Sequence, residues 1–138
     1  MGLDVRGPRF AAAITTLVLI AVLITGSGWL LLAQAVIFAI GAANIRRSPY
    51  GLLFRALIAP RLGAPTEFEP PQPVQFAQAV GLGFALVGTA GYLAGVPALG
   101  AVASAAALVA AFLNAAFGLC LGCEVYLLLK RATTRTTA

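Results

Sequence analysis

A chain of 138 residues with 61% hydrophobic and 9% charged side chains is the size of one ordinary domain but not of a soluble one. Soluble domains carry about 25% charged residues, and a domain this small exposes too large a fraction of its surface to hide the excess apolar area. The net charge of +5 does not indicate nucleic acid, because the basic residues flank apolar runs and no nucleic-acid-binding motif accompanies them; anionic lipid headgroups and membrane topology account for them.

The nine basic and four acidic residues fall within 4–9, 46–69 and 124–135, leaving 10–45 and 70–123 free of charge. A charge at the centre of a membrane helix costs about 2.5–3.5 kcal/mol, and two long charge-free blocks are what that penalty leaves. The first block, taken as one helix, would be roughly 50 Å long against a hydrocarbon core of about 30 Å. Gly26-Ser27-Gly28 is the natural breaker and predicts helices over 10–25 and 29–44, with Trp29 at the outer interface. A signal peptide is the weaker reading, since the apolar run is at the long end and Thr25-Gly26-Ser27 is an imperfect cleavage site. Position 6 is Arg, which excludes the N-myristoylation pattern.

A central loop over 45–74 follows. Its Tyr50–Ile58 stretch is apolar with arginines at its edges and predicts a short helix lying in the interface. Residues 64–74 hold Pro65, Pro70, Pro71 and Pro73 with Glu67 and Glu69, the composition of an extended, semi-rigid linker. The third helix is expected over 75–95. Gly81, Gly88 and Gly95 recur in it at seven-residue steps, a small-residue face that lets membrane helices approach closely. Gly81-Leu82-Gly83 opens a G-x-G pattern but follows no strand, so a nucleotide-binding reading fails.

Gly95-Val96-Pro97 and Gly100 break the second block, and a fourth helix is expected over 101–129. That is longer than a bilayer needs, so it must tilt, kink or project; Gly118 and Gly122 are the expected points of distortion, and both also serve close packing. Gln34, Gln78 and Asn114 are the polar candidates inside the spans, read first as interhelical fasteners. The basic residues lie beside both termini and in the central loop, none in the two short turns, so the positive-inside rule puts both termini in the cytoplasm. The expected fold is all-α: an integral membrane four-helix bundle of two transmembrane hairpins in the inner membrane.

The chemistry rests on Cys120-Leu121-Gly122-Cys123-Glu124. In a continuous helix a three-residue step puts both sulfurs on one face, with Cα atoms about 5 Å apart and within disulfide range. Such a pair cycles between dithiol and disulfide with little backbone movement, as redox C-x-x-C motifs do; the competing reading is two packed apolar cysteines. If Lys130 marks the inner interface, Cys123 lies about 10 Å and Cys120 about 15 Å into the membrane, and Glu124 is either an intramembrane acid able to relay a proton to a thiol or an acid near the surface paired with Lys130, Arg131 or a loop arginine. No metal or cofactor is expected. Zinc wants four ligands, and two thiols with no histidine could supply them only across a homodimer.

Asp4-Val5-Arg6-Gly7-Pro8-Arg9-Phe10, Ser48-Pro49-Tyr50-Gly51, Pro60-Arg61-Leu62-Gly63, Phe76-Ala77-Gln78 and, most specifically, the closing stretch from Asn114 to Tyr126 resemble a bacterial membrane family catalogued as domain of unknown function 4395. The resemblance covers nearly the whole chain. It implies association with thioredoxin-like and rhodanese-like sulfurtransferase proteins, and hence thiol redox or sulfur traffic at the membrane. The expected function is thiol–disulfide or sulfur exchange at Cys120 and Cys123 with such a partner, Cys123 being attacked and Glu124 handling the proton. Two other classes remain open: a small transporter or channel component for a sulfur compound, lined by Gln34, Gln78 and Asn114 and completed by homo-oligomerisation, or a structural anchor for a soluble enzyme.

Overall fold

A computed structural model describes residues 3–64, 68–69 and 71–137. Helix α1 (Arg6–Thr25) ends where Gly26 turns left-handed at φ +64°, its N–H still donating to the Val22 carbonyl at 2.7 Å. Ser27 then caps α2 (Gly28–Ala43) by accepting the Leu30 N–H at 3.1 Å, a contact typically worth about 1 kcal/mol. Asn44 ends α2 and caps a 3₁₀ turn, Ile45–Arg47.

The central loop does hold a short helical stretch, formed by α3 (Pro49–Leu53), a π-turn (Phe54–Ile58) and α4 (Ala59–Leu62), continuous along the chain. Phe54 is buried and pinned to the start of α1, its ring centroid 5.7 Å from that of Phe10, while Leu52, Leu57 and Leu62 are exposed.

The extended linker is shorter than expected. Helix α5 (Pro71–Leu93) already includes Pro71 and Pro73, because proline costs nothing in a first turn whose N–H groups have no helical partner. Pro65, Glu67 and Pro70 lie outside the described residues. Phe68–Glu69 forms a two-residue strand, β2, antiparallel to β1 (Leu3–Asp4), a pairing no sequence pattern announced. Gly95 is also reassigned: at φ +84° it lies beyond the end of α5, with open space around it, so it is a turn residue and not part of the packing face.

The largest correction concerns the fourth helix. It starts earlier than expected, at Pro97, and α6 (Pro97–Phe117) stops at Gly118; the remaining residues form a separate helix, α7 (Leu121–Thr137). Helices α1, α5 and α6 are each long and apolar enough to cross a membrane, whereas α2, equally apolar, has 16 residues. Helix α2 packs on α5, α5 on α6, α6 on α1, and α1 on α2, around Leu19, Val22, Leu31, Ala35, Phe38, Ala85 and Ala107. Glycines set the closest approaches. A Cβ on Gly81 would meet the Phe38 ring at 2.8 Å, one on Gly88 the Leu31 side chain at 2.6 Å, and one on Gly91 the Gly100 backbone at 2.7 Å.

Candidate functional site

Gly118 ends α6 with φ +70°; its N–H donates to the Asn114 carbonyl at 2.9 Å, and the Leu119 N–H reaches the Leu113 carbonyl at 3.2 Å. Glycine adopts this left-handed conformation without the Cβ clash that other residues suffer. Cys120 therefore precedes α7, and Cys123 lies in its first turn. The two are joined as a disulfide, with Cα atoms 5.1 Å apart.

Cys120 serves as the cap of α7. Its carbonyl accepts the Glu124 N–H at 3.0 Å, and its Sγ accepts the Cys123 N–H at 3.1 Å. These are the two acceptor roles that helix N-termini demand, since the first N–H groups have no helical partner. The pair is thus not on the face of a continuous helix, and the depths of about 10 and 15 Å measured along such a helix do not apply. It sits at a helix N-terminus, beside the last turn of α6, where Arg9 donates to the Ala115 carbonyl at 3.3 Å. A cation there also complements the negative end of the α6 dipole.

Helix α7 does not prolong α6 but lies on the first turns of α5. A Cβ on Gly122 would come within 2.6 Å of both Cα and Cβ of Ala77, and the rings of Phe76 and Tyr126 are 5.6 Å apart. This placement puts both cysteines on the wall of a cavity of about 550 Å³ between α1, α5, α6 and α7. Most of the wall is alanine, valine and phenylalanine; Arg9, Thr15, Gln78 and Asn114 supply its polar groups. Among the described residues, the side-chain amides of Gln78 and Asn114 meet no hydrogen-bonding partner in the protein.

The structure therefore gathers Cys120, Cys123, Gln78, Asn114, Gly81, Gly118 and Gly122 at one cavity. Gln34 is elsewhere, almost fully buried, its Oε1 accepting the Tyr50 hydroxyl at 2.7 Å and its Nε2 without a partner. Burial raises the Tyr50 phenol above its ordinary pKa, because the phenolate would lose its solvation. Gly88 belongs to the packing between α2, α5 and α6. Glu124 is exposed in the first turn of α7 and does not line the cavity; an acid at that position is favoured by the helix dipole alone. Arg9 and Thr15 were not among the expected site residues. Arg9 carried a signal in being the basic residue nearest the first apolar run, and Thr15 carried none.

No curated protein and no solved structure matches the chain. Residues 3–131 match the family model described as domain of unknown function (DUF4395), a range that takes in every one of the dispersed motifs, and the chain belongs to that family.

Proposed function

We propose that the chain is a four-span membrane protein of the bacterial inner membrane, with both termini cytoplasmic, whose Cys120–Cys123 pair exchanges thiol and disulfide with a thioredoxin-like or sulfurtransferase partner. The observation that carries this reading is the capping of α7 by the Cys120 sulfur, with the Cys123 N–H donating to it. Helix N-termini lower the pKa of a cysteine placed there, and the thiolate is the nucleophile. Burial would do the opposite, but both cysteines are only partly buried.

That geometry favours Cys120 as the exchanging cysteine, in place of the Cys123 that depth along a continuous helix suggested. A partner thiolate attacks the Cys120 Sγ, the S–S bond breaks, and Cys123 leaves as a thiolate and takes a proton. The partner's second thiol then attacks its own mixed disulfide and releases Cys120 as the thiolate that α7 stabilises. The partner loses two electrons and becomes a disulfide, and the pair gains them as a dithiol.

Trapping tests the assignment. Run in reverse, the Cys120 thiolate of Cys123→Ser attacks the disulfide of the oxidised partner and lacks the Cys123 that would resolve the product, so a mixed disulfide should accumulate, visible on a non-reducing gel and lost on reduction; Cys120→Ser should accumulate none. Wild-type cysteines that stay inert to maleimide before and after reductant, with no trapped species in either variant, would leave only an anchoring role. For topology, tags at both ends should report the cytoplasm and a cysteine at Ser27 the outside, as the flanking arginines require.

A further inference from the structure

Two cavities meet at Val80, Phe84 and Ala106. The first, of about 550 Å³, carries both cysteines together with the unpartnered amides of Gln78 and Asn114. The second, of about 410 Å³, is lined by apolar residues of α5 and α6 alone and shares Val80, Phe84 and Ala106 with the first. Val87, Leu99 and Val102, on the walls of the second, are exposed on the outer side of these helices. The shared residues Val80, Phe84 and Ala106 are exposed as well, so the two adjoin as one open slot, the first cavity holding the redox group and the polar side chains and the second an apolar groove along the outer face of α5 and α6.

Each end specifies chemistry. An amide N–H in an apolar wall is costly until it meets an acceptor, and two neutral amides suit carbonyl oxygens better than a charged headgroup. The nearby cation, Arg9, already donates to the Ala115 carbonyl. The groove suits a long hydrocarbon tail. The disulfide on the wall of the same cavity as the amides suits a ring that accepts two electrons.

We infer that the slot binds a lipid-soluble quinone, ring against the disulfide and tail along the outer face of α5 and α6, and that the reduced pair passes its electrons to it. This rests on the thiol–disulfide reading and gives it a direction, from partner dithiol to membrane quinone. The Cys120 thiolate adds to a ring carbon, forming an S–C bond. The Cys123 thiolate then attacks the Cys120 Sγ. The S–S bond forms as the S–C bond breaks, and that electron pair passes into the ring. The two protons released by the dithiol balance the two taken up by the quinone oxygens, giving a disulfide and a quinol.

The test uses the full chain in nanodiscs, reduced with dithiothreitol, freed of it, and mixed with a decyl-tailed benzoquinone. One quinol per chain should form, followed by quinone absorbance, as two maleimide-reactive thiols disappear. Ala106→Trp obstructs the open boundary shared by the two cavities, and Asn114→Ala removes an amide. Each should raise the KM for the tailed quinone by about tenfold, the size of one lost hydrogen bond or a mis-shaped pocket. Ala106→Trp should not change the KM of a tail-less benzoquinone, which needs no groove; thermal melting checks that each variant folds. The inference is overturned if dithiothreitol reduces the wild-type pair but no quinol follows, or if both folded variants keep the wild-type KM. It is also overturned if mass spectrometry finds a phospholipid held one per chain that the quinone does not displace. A wild-type pair that dithiothreitol cannot reduce would instead remove the thiol–disulfide reading beneath it.

Discussion

Gly122 of α7 lies directly against Ala77 of α5, so close that a Cβ at position 122 would fall within 2.6 Å of both Cα and Cβ of Ala77. This approach holds α7, and with it the disulfide, on the cavity wall. The obstructing Ala77 Cα is backbone, which cannot swing aside as a long side chain would. Gly122→Ala should therefore cost about 1–3 kcal/mol, as overpacking generally does, and should lift α7 away from α5. The expected outcome is a lower melting temperature in detergent together with faster reduction of the pair by dithiothreitol. Unchanged reduction kinetics would mean that α7 does not need this contact to position the cysteines.

Gly88 and Gly83 give a matched pair on α5. A Cβ on Gly88 would meet Leu31 at 2.6 Å, and Leu31 is fully buried, whereas a Cβ on Gly83 would meet nothing within 4 Å. Gly88→Leu should cost about 1–3 kcal/mol. Gly83→Ala should be neutral or stabilise by about 0.5–1 kcal/mol through lower backbone entropy in the unfolded chain. Comparing the two in the same detergent melts separates the packing effect from a general intolerance of substitution in α5.

The Tyr50 hydroxyl donates to Gln34 Oε1 at 2.7 Å, and Gln34 already leaves its Nε2 without a partner. Tyr50→Phe should orphan the carbonyl as well and cost about 1–3 kcal/mol. Adding Gln34→Leu to Tyr50→Phe removes both polar partners together and should recover most of that loss. A double-mutant cycle read by unfolding tests this, and strictly additive effects would deny the coupling.

Asp4 accepts from the Arg6 backbone N–H at 3.0 Å and from the Arg6 guanidinium at 2.8 Å, while Arg6 also donates to the Gly63 carbonyl at 3.2 Å. The Arg6 hydrogen bonds hold the Asp4 carboxyl below its ordinary value of 3.8. A carboxyl depressed in the folded state contributes its stability in full above that value and loses it as pH falls through the lowered one. Amide exchange at Arg6 should therefore stay constant from neutral pH to about 4, after correction for intrinsic rates, and accelerate below. Asp4→Asn should show the faster exchange already at neutral pH.

The ends of α1 and α5, and the turns that follow them, were legible because Gly26 and Gly95 interrupt apolar blocks longer than a bilayer. The break at Gly118 was only half legible. Glycine marked a distortion, but Leu119, Cys120 and Leu121 continue the hydropathy without a dip, so nothing signalled a full stop and a new helix. A three-residue cysteine step fits one face of a helix and equally fits an N-cap with its first turn; only the backbone at Gly118 distinguishes them. Pro71 and Pro73 were ambiguous for a related reason, since proline opens helices as readily as it stiffens linkers. That Gln78 and Asn114 line the same cavity as the disulfide depends on how α5, α6 and α7 pack, which no local pattern encodes.

Helix α2 has 16 residues, a length of about 24 Å at 1.5 Å per residue, while a typical hydrocarbon core is about 30 Å thick. Its neighbours α1, α5 and α6 are longer by 4, 7 and 5 residues, having 20, 23 and 21. In the proposed four-span topology, a bilayer around this molecule meets hydrophobic mismatch beside α2 only. Lipid beside α2 must thin or the whole protein must lean, at a cost of fractions of a kcal/mol per Å. The protein therefore carries a built-in preference for thinner, more deformable membrane, set by the shortness of one helix and independent of anything the cysteines do.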